Sequence, residues 1–146
     1  MNRDSRLSVA LHVLLHMSKM ESAVTSEALG SMMKTNPVVI RRTLGGLRDA
    51  GIVAAEKGHG GGWTLARDLR SVTLADVYEA LGTTTPFGIG VRDPKPTCPI
   101  EKGVNRVLGG ALREAETLLM ARLQSTTVAD ILSNATRSHA AGAQAS

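Results

Sequence analysis

At 146 residues the chain can bury one real core, or a small domain plus a dimerising arm. One cysteine excludes an intrachain disulfide framework and suits a reducing cytoplasm, and three aromatic residues (Trp63, Tyr78, Phe87) are too few for a surface that stacks single-stranded bases. The net charge of +4 is unevenly placed: residues 1–70 carry ten Lys/Arg against six Asp/Glu, whereas residues 71–146 carry seven of each, so all the excess lies in the first half.

Asp4 or Ser5 can cap a first helix running to about Met20. Leu7, Leu11, Leu14 and Leu15 form an apolar row widened by Ala10, Val13 and Met17, so this helix is expected to be buried on two sides. The same segment, broken by His12 and His16 and lacking a cleavage-type tail, does not read as a signal peptide. No apolar run approaches a membrane span, and no membrane partner is expected. Arg3 and Arg6 lie near the helix start, within reach of phosphates. His12 and His16 stand at i, i+4, a spacing that can place two imidazoles on one metal, but no glutamate or cysteine nearby completes a site; no metal is expected.

Thr25 or Ser26 caps a second helix, with Glu27 in its first turn and Leu29, Met32 and Met33 turned inward. A tight turn leads to Thr35 or Asn36 as the next cap and Pro37 at the first helical position, where its missing N–H costs nothing. Ile40, Leu44 and Leu47 make a narrow inward stripe. The opposite face collects Thr35, Val38, Arg42, Gly45 and Asp49, flanked by Val39 and Arg41. Gly45 and Gly46 are poor helix formers whose use is expected to be close approach of another backbone or of phosphate. Two short strands follow, Ile52–Ala55 and Trp63–Ala66, separated by Lys57 and His59 among four glycines. Helix, turn, helix and glycine-tipped hairpin is the layout of a winged helix-turn-helix that docks on duplex DNA.

Arg67–Ser71 reads as a turn, and Thr73 as the cap of a short helix over 74–81. Residues 82–99 hold four of the five prolines and no periodicity, and read as a loop. Cys98 falls at the N-cap of a helix from Pro99 to about Gln124, where the helix dipole favours a thiolate; it is the candidate redox sensor. That helix, ~38 Å long, carries Ile100, Val104, Val107, Ala111 and Leu118 on one side, a face one small domain cannot cover. These five residues are the candidate dimer interface, and Gly103 and Gly110, a heptad apart, would let two helices cross closely. Val128–Leu132, capped by Thr126 or Thr127, reads as a short return helix, and 134–146 as a disordered Ala/Ser/Gly-rich tail.

The runs Asn36-Pro37-Val38-Val39-Ile40-Arg41-Arg42, Leu47-Arg48-Asp49-Ala50-Gly51-Ile52-Val53, Lys57-Gly58-His59-Gly60-Gly61-Gly62-Trp63-Thr64-Leu65-Ala66-Arg67, Val72-Thr73-Leu74-Ala75-Asp76-Val77-Tyr78-Glu79-Ala80-Leu81 and Cys98-Pro99-Ile100 carry a resemblance that covers Ser5 to about Leu132. They resemble the Rrf family of winged-helix transcription regulators (the IscR/NsrR-like superfamily), and within it the YwnA-like branch that lacks the three cluster cysteines. The resemblance implies a homodimer that places the helix after the turn in the major groove and the wing in the minor groove. In IscR-like members an arginine precedes the first wing glycine. Here the residue is Lys57, which keeps the charge without the planar fork, so phosphate contact is expected rather than base reading. Cluster-binding relatives supply three cysteines from the region occupied here by 82–99; with Cys98 alone, no iron–sulfur cluster is expected.

The expected fold is mostly α with a small β-wing. A winged helix-turn-helix DNA-binding domain occupies 1–82, followed by a Pro/Gly-rich loop over 83–98. A dimerisation helix and short return helix occupy 99–133, ahead of the tail 134–146. The expected function is a cytoplasmic homodimeric transcription regulator, a repressor, on a palindromic operator, open to a redox or small-molecule effector. The alternative is a winged-helix protein–protein interaction module without specific DNA binding. No catalytic constellation is visible, and enzyme activity is not expected. The candidate DNA-binding residues are Thr25, Ser26, Thr35, Asn36, Pro37, Val38, Val39, Arg41, Arg42, Lys57 and His59.

Overall fold

Apolar residues at helical spacing in the first fifty positions set the architecture. The computed structural model, which describes residues 4–82, 86–87 and 89–143, folds them as α1 (Arg6–Met17), α2 (Ser26–Met33) and α3 (Pro37–Asp49). An antiparallel hairpin follows, β1 (Val53–Glu56) and β2 (Gly62–Leu65), with Val53 opposite Leu65 and Glu56 opposite Gly62. A 3₁₀ turn (Leu69–Ser71) leads to α4 (Leu74–Ala80), α5 (Pro99–Gln124) and α6 (Val128–Ala143).

The core is where the inward stripes meet. Ala10, Val13 and Leu14 of α1, Leu29 of α2, and Ile40, Leu44 and Leu47 of α3 are fully buried. Ile52, Val53, Val72 and Val77 pack with them. Helix ends are chemically fixed. Thr73 and Asp76 form a reciprocal capping box at α4, the Thr73 hydroxyl accepting from the Asp76 N–H at 3.0 Å and the Asp76 carboxylate from the Thr73 N–H at 2.9 Å. Helix α1 stops at Met17, three residues short of the expected end. There the Ser18 hydroxyl donates to the Leu15 carbonyl at 2.7 Å, and the next two amides bond three residues back.

Two expectations about the C-terminal part are corrected. The return helix does not end at Leu132: α6 continues to Ala143. Poor core-forming content does not imply disorder: alanine is the strongest helix former, and the Thr136 hydroxyl bonds the Leu132 carbonyl at 2.9 Å, one turn back. The remainder of the expected tail, 144–146, lies outside the described residues, as do positions 83–85 and 88 of the loop. Nor is the return segment separate from the first domain. Val128 is fully buried in the common core, and Thr127 bridges Thr73, with the Leu74 N–H on the Thr126 carbonyl (2.9 Å) and the Val128 N–H on the Val72 carbonyl (2.8 Å). Helix α5, by contrast, buries only Leu123. No helix among the described residues is long and apolar enough to cross a membrane.

Candidate nucleic-acid interface

The turn between α2 and α3 is built by three residues. Lys34 closes α2 in the left-handed region (φ 53°), and the Thr35 N–H returns to the Gly30 carbonyl at 2.9 Å. A Cβ on Gly30 would lie 2.7 Å from the Thr35 carbonyl oxygen, so only glycine lets α2 and the start of α3 approach this closely. Asn36 caps α3, its side chain accepting from the Val38 N–H at 2.9 Å, with Pro37 inside the first turn. Thr25 caps α2 in the same manner, accepting from the Ala28 N–H at 3.1 Å.

These caps aim the start of α3 outward. Val38 and Val39 stay 52% and 42% exposed although both are large and branched, and Arg41 and Arg42 are exposed beside them. The two arginines differ in company. Arg41 forms an ion pair with Glu27 across the turn, whereas Arg42 makes no ion pair among the described residues. The Glu27 carboxyl is held below its ordinary value, first by a backbone hydrogen bond in the first turn of α2 and then by the Arg41 guanidinium. Thr35 is half-buried and its hydroxyl donates to the Met33 carbonyl at 3.3 Å; Pro37 is half-buried against Gly30.

The wing is clamped to this unit at its base. Trp63 and Val24 exchange two backbone hydrogen bonds (2.8 and 3.0 Å), which pins the α1–α2 connection to the hairpin through a single bridge pair. A Cβ on Gly62 (φ +148°) would fall 2.6 Å from the Val24 carbonyl, so glycine is required at this crossing. The Trp63 indole N–H donates to the Ser26 hydroxyl at 3.0 Å. Ser26 is therefore corrected as an exposed DNA-binding candidate: it is 4% exposed, and its hydroxyl is taken by the Trp63 indole, which holds the wing against α2. At the tip, Lys57 and His59 are exposed among glycines of positive φ.

Sequence reasoning missed the Glu27–Arg41 pair, the Val24–Trp63 bridge and the Trp63–Ser26 bond, all of which join residues far apart in the chain. The one available signal was Gly62 directly before the sole tryptophan. Gly46, expected to serve close approach, does so: a Cβ there would lie 2.9 Å from the Ala80 carbonyl of α4. Gly45 has nothing within 4 Å. Arg6 is engaged by Asp4, which its guanidinium and backbone N–H hold down at about 2; Arg3 lies outside the described residues. Ile100 (80%), Val107 (75%) and Leu118 (75%) are exposed with Val104 and Ala111 along α5. Cys98 is exposed at the N-cap of α5 and makes no side-chain cap bond.

This geometry is that of a helix-turn-helix with an attached wing, and its sequence pattern has counterparts. The Rrf2 family pattern, described as an iron-dependent transcriptional regulator, matches residues 3–134. The chain belongs to the Rrf2 family. It is a DNA-binding transcription regulator. It is 29% identical over 131 residues to YwnA of Bacillus subtilis (strain 168), a protein named as an HTH-type transcriptional regulator, covering 90% of this chain and 97% of that one. A transcriptional regulator structure from Lactobacillus plantarum superposes with a TM-score of 0.76 at 26% identity, covering 90% of each chain. The IscR structure from T. potens shares the fold, with a TM-score of 0.65 at 19% identity over 92% of this chain and 88% of that one.

The Rrf2 description names iron, and the residues present can be compared with what a cluster needs. An iron–sulfur cluster takes about four ligands, mostly thiolates. Cys98 is the one thiol of the chain, and no three His, Cys, Asp or Glu side chains gather among the described residues. This donor set does not fit a cluster.

Proposed function

We propose that this chain acts in the cytoplasm as a homodimeric repressor of a palindromic operator. In this reading Val38, Val39 and Arg42 approach base edges in the major groove from the first two turns of α3. Thr25 and Asn36 lie against phosphate, and Lys57 and His59 enter the minor groove from the wing. Arg41 reaches DNA by exchanging Glu27 for a phosphate. The observation that carries this reading is the exposed Val38–Val39–Arg42 surface together with exposed Lys57 and His59 at the tip of a wing whose base is bonded to Val24.

A second copy is favoured by α5, whose apolar residues at positions 100, 104, 107, 111 and 118 repeat at heptad spacing and stand in the open. Two-fold symmetry would then present two α3 helices about 34 Å apart, one turn of DNA. The protein would work without a cluster, given its single thiol. An oxidant effector would act at Cys98, and unaltered operator affinity after peroxide treatment would remove that part of the reading.

The test is a gel shift against the DNA upstream of the chain's own gene, with a salt titration. A retarded complex of two chains per site whose affinity falls steeply with salt is expected. If Arg42→Ala and Lys57→Ala both bind like wild type, the docking is wrong. Absence of any sequence-preferring complex would favour the protein–protein interaction module instead.

A further inference from the structure

His12 and His16 are not among the residues proposed to meet DNA. They stand on successive turns of α1, opposite the side that sends Ala10, Val13, Leu14 and Met17 into the core. Spacing alone made them neighbours; the structure makes them convergent. Their Nε2 atoms are 3.0 Å apart, with ring centroids 4.7 Å apart and planes tilted by 34°. His12 is exposed and His16 is half-buried.

Two imidazole nitrogens on one ion, with bonds of about 2.0–2.1 Å at mutual angles of about 90–110°, stand about 2.8–3.4 Å apart. The observed separation falls in that range. Without an ion, the pair can be held only as one N–H donating to one lone pair, because two protonated rings would repel. An ion between them uses both lone pairs.

We propose that His12 and His16 form a two-ligand surface site for a borderline divalent cation of the zinc, nickel and copper class, with water in the remaining positions. Imidazole pairs suit these ions, and copper would bind tighter than nickel or zinc. Among the described residues no third His, Cys, Asp or Glu joins the pair. The hard, oxygen-seeking ions magnesium and calcium are therefore poor occupants. The site staples one turn of α1 and leaves its buried face untouched. It stands independently of how α3 meets DNA.

The experiment is a calorimetric titration of the full chain with Zn²⁺ alone, alongside His12→Gln, His16→Gln and the double variant His59→Gln/His139→Gln. One Zn²⁺ per chain is expected for wild type and for the His59/His139 double variant, which removes the two other histidines of the sequence. Each of the α1 variants should lose at least about ten-fold in affinity, since half the protein ligands are gone. Zn²⁺ should raise the melting temperature of wild type and not that of His12→Gln, whose exposed side chain can be changed without disturbing the fold. Equal Zn²⁺ affinity in His12→Gln and wild type would overturn the proposal. So would loss of binding in the His59/His139 variant, or no binding by wild type.

Discussion

Arg41 and Arg42 are adjacent in sequence and unlike in circumstance. Arg42 is unpaired among the described residues, so Arg42→Ala should weaken operator binding by about 1–3 kcal/mol and relax preference at one base position, read by competition with single-base variants of the site. Arg41 is held by Glu27, an acid that DNA would displace. Glu27→Gln frees the arginine and removes a negative charge from the phosphate side. The variant should bind DNA more tightly than wild type at low salt and converge with it at high salt. Lys57→Ala should lower affinity for all sequences alike and reduce the salt slope by about 1, the signature of one phosphate contact. Trp63→Phe keeps an aromatic ring but removes the pyrrole half of the indole with its N–H on Ser26; at least about 1 kcal/mol of stability should be lost in chemical denaturation.

At the level of elements, the two central glycines of α3 give opposite predictions. Gly46→Ala would drive a methyl against the Ala80 carbonyl, and about 1–3 kcal/mol of stability should be lost. Gly45→Ala meets nothing, so helix propensity should add roughly 0.5–1 kcal/mol, while a DNA backbone seated on that face would be pushed away. A variant that melts later and binds operator worse would tie this face of α3 to the groove. Much of this was legible beforehand. Pro37 after Asn36, the Ile40–Leu44–Leu47 stripe and the glycine-rich tip give the order of elements, because caps, periodicity and turn chemistry are local. Ser26 shows where local reasoning stops. A serine beside a cap reads as an exposed donor until a tryptophan 37 positions away closes over it. The end of α6 failed for another reason: alanine supports a helix without contributing to a core, so Asn134 to Ala143 carried no inward stripe to read.

For the whole molecule, the uncovered side of α5 is the feature to perturb. Placing a charge on it, as in Val107→Glu or Leu118→Glu, should yield a folded monomer by light scattering, with operator affinity reduced far more than thermal stability. Deleting 134–146 should leave the core intact, since Val128 remains, and should remove helical signal in circular dichroism. The bridge between Thr127 and Thr73 carries a mechanical implication. Helix α5 ends not in a slack tether but in a joint knitted into the body by backbone hydrogen bonds on both sides. If the two α5 helices of the proposed dimer changed their crossing angle, the torque would pass through that joint. It would swing both reading heads together, altering the span between them and hence which spacing of half-sites they can straddle.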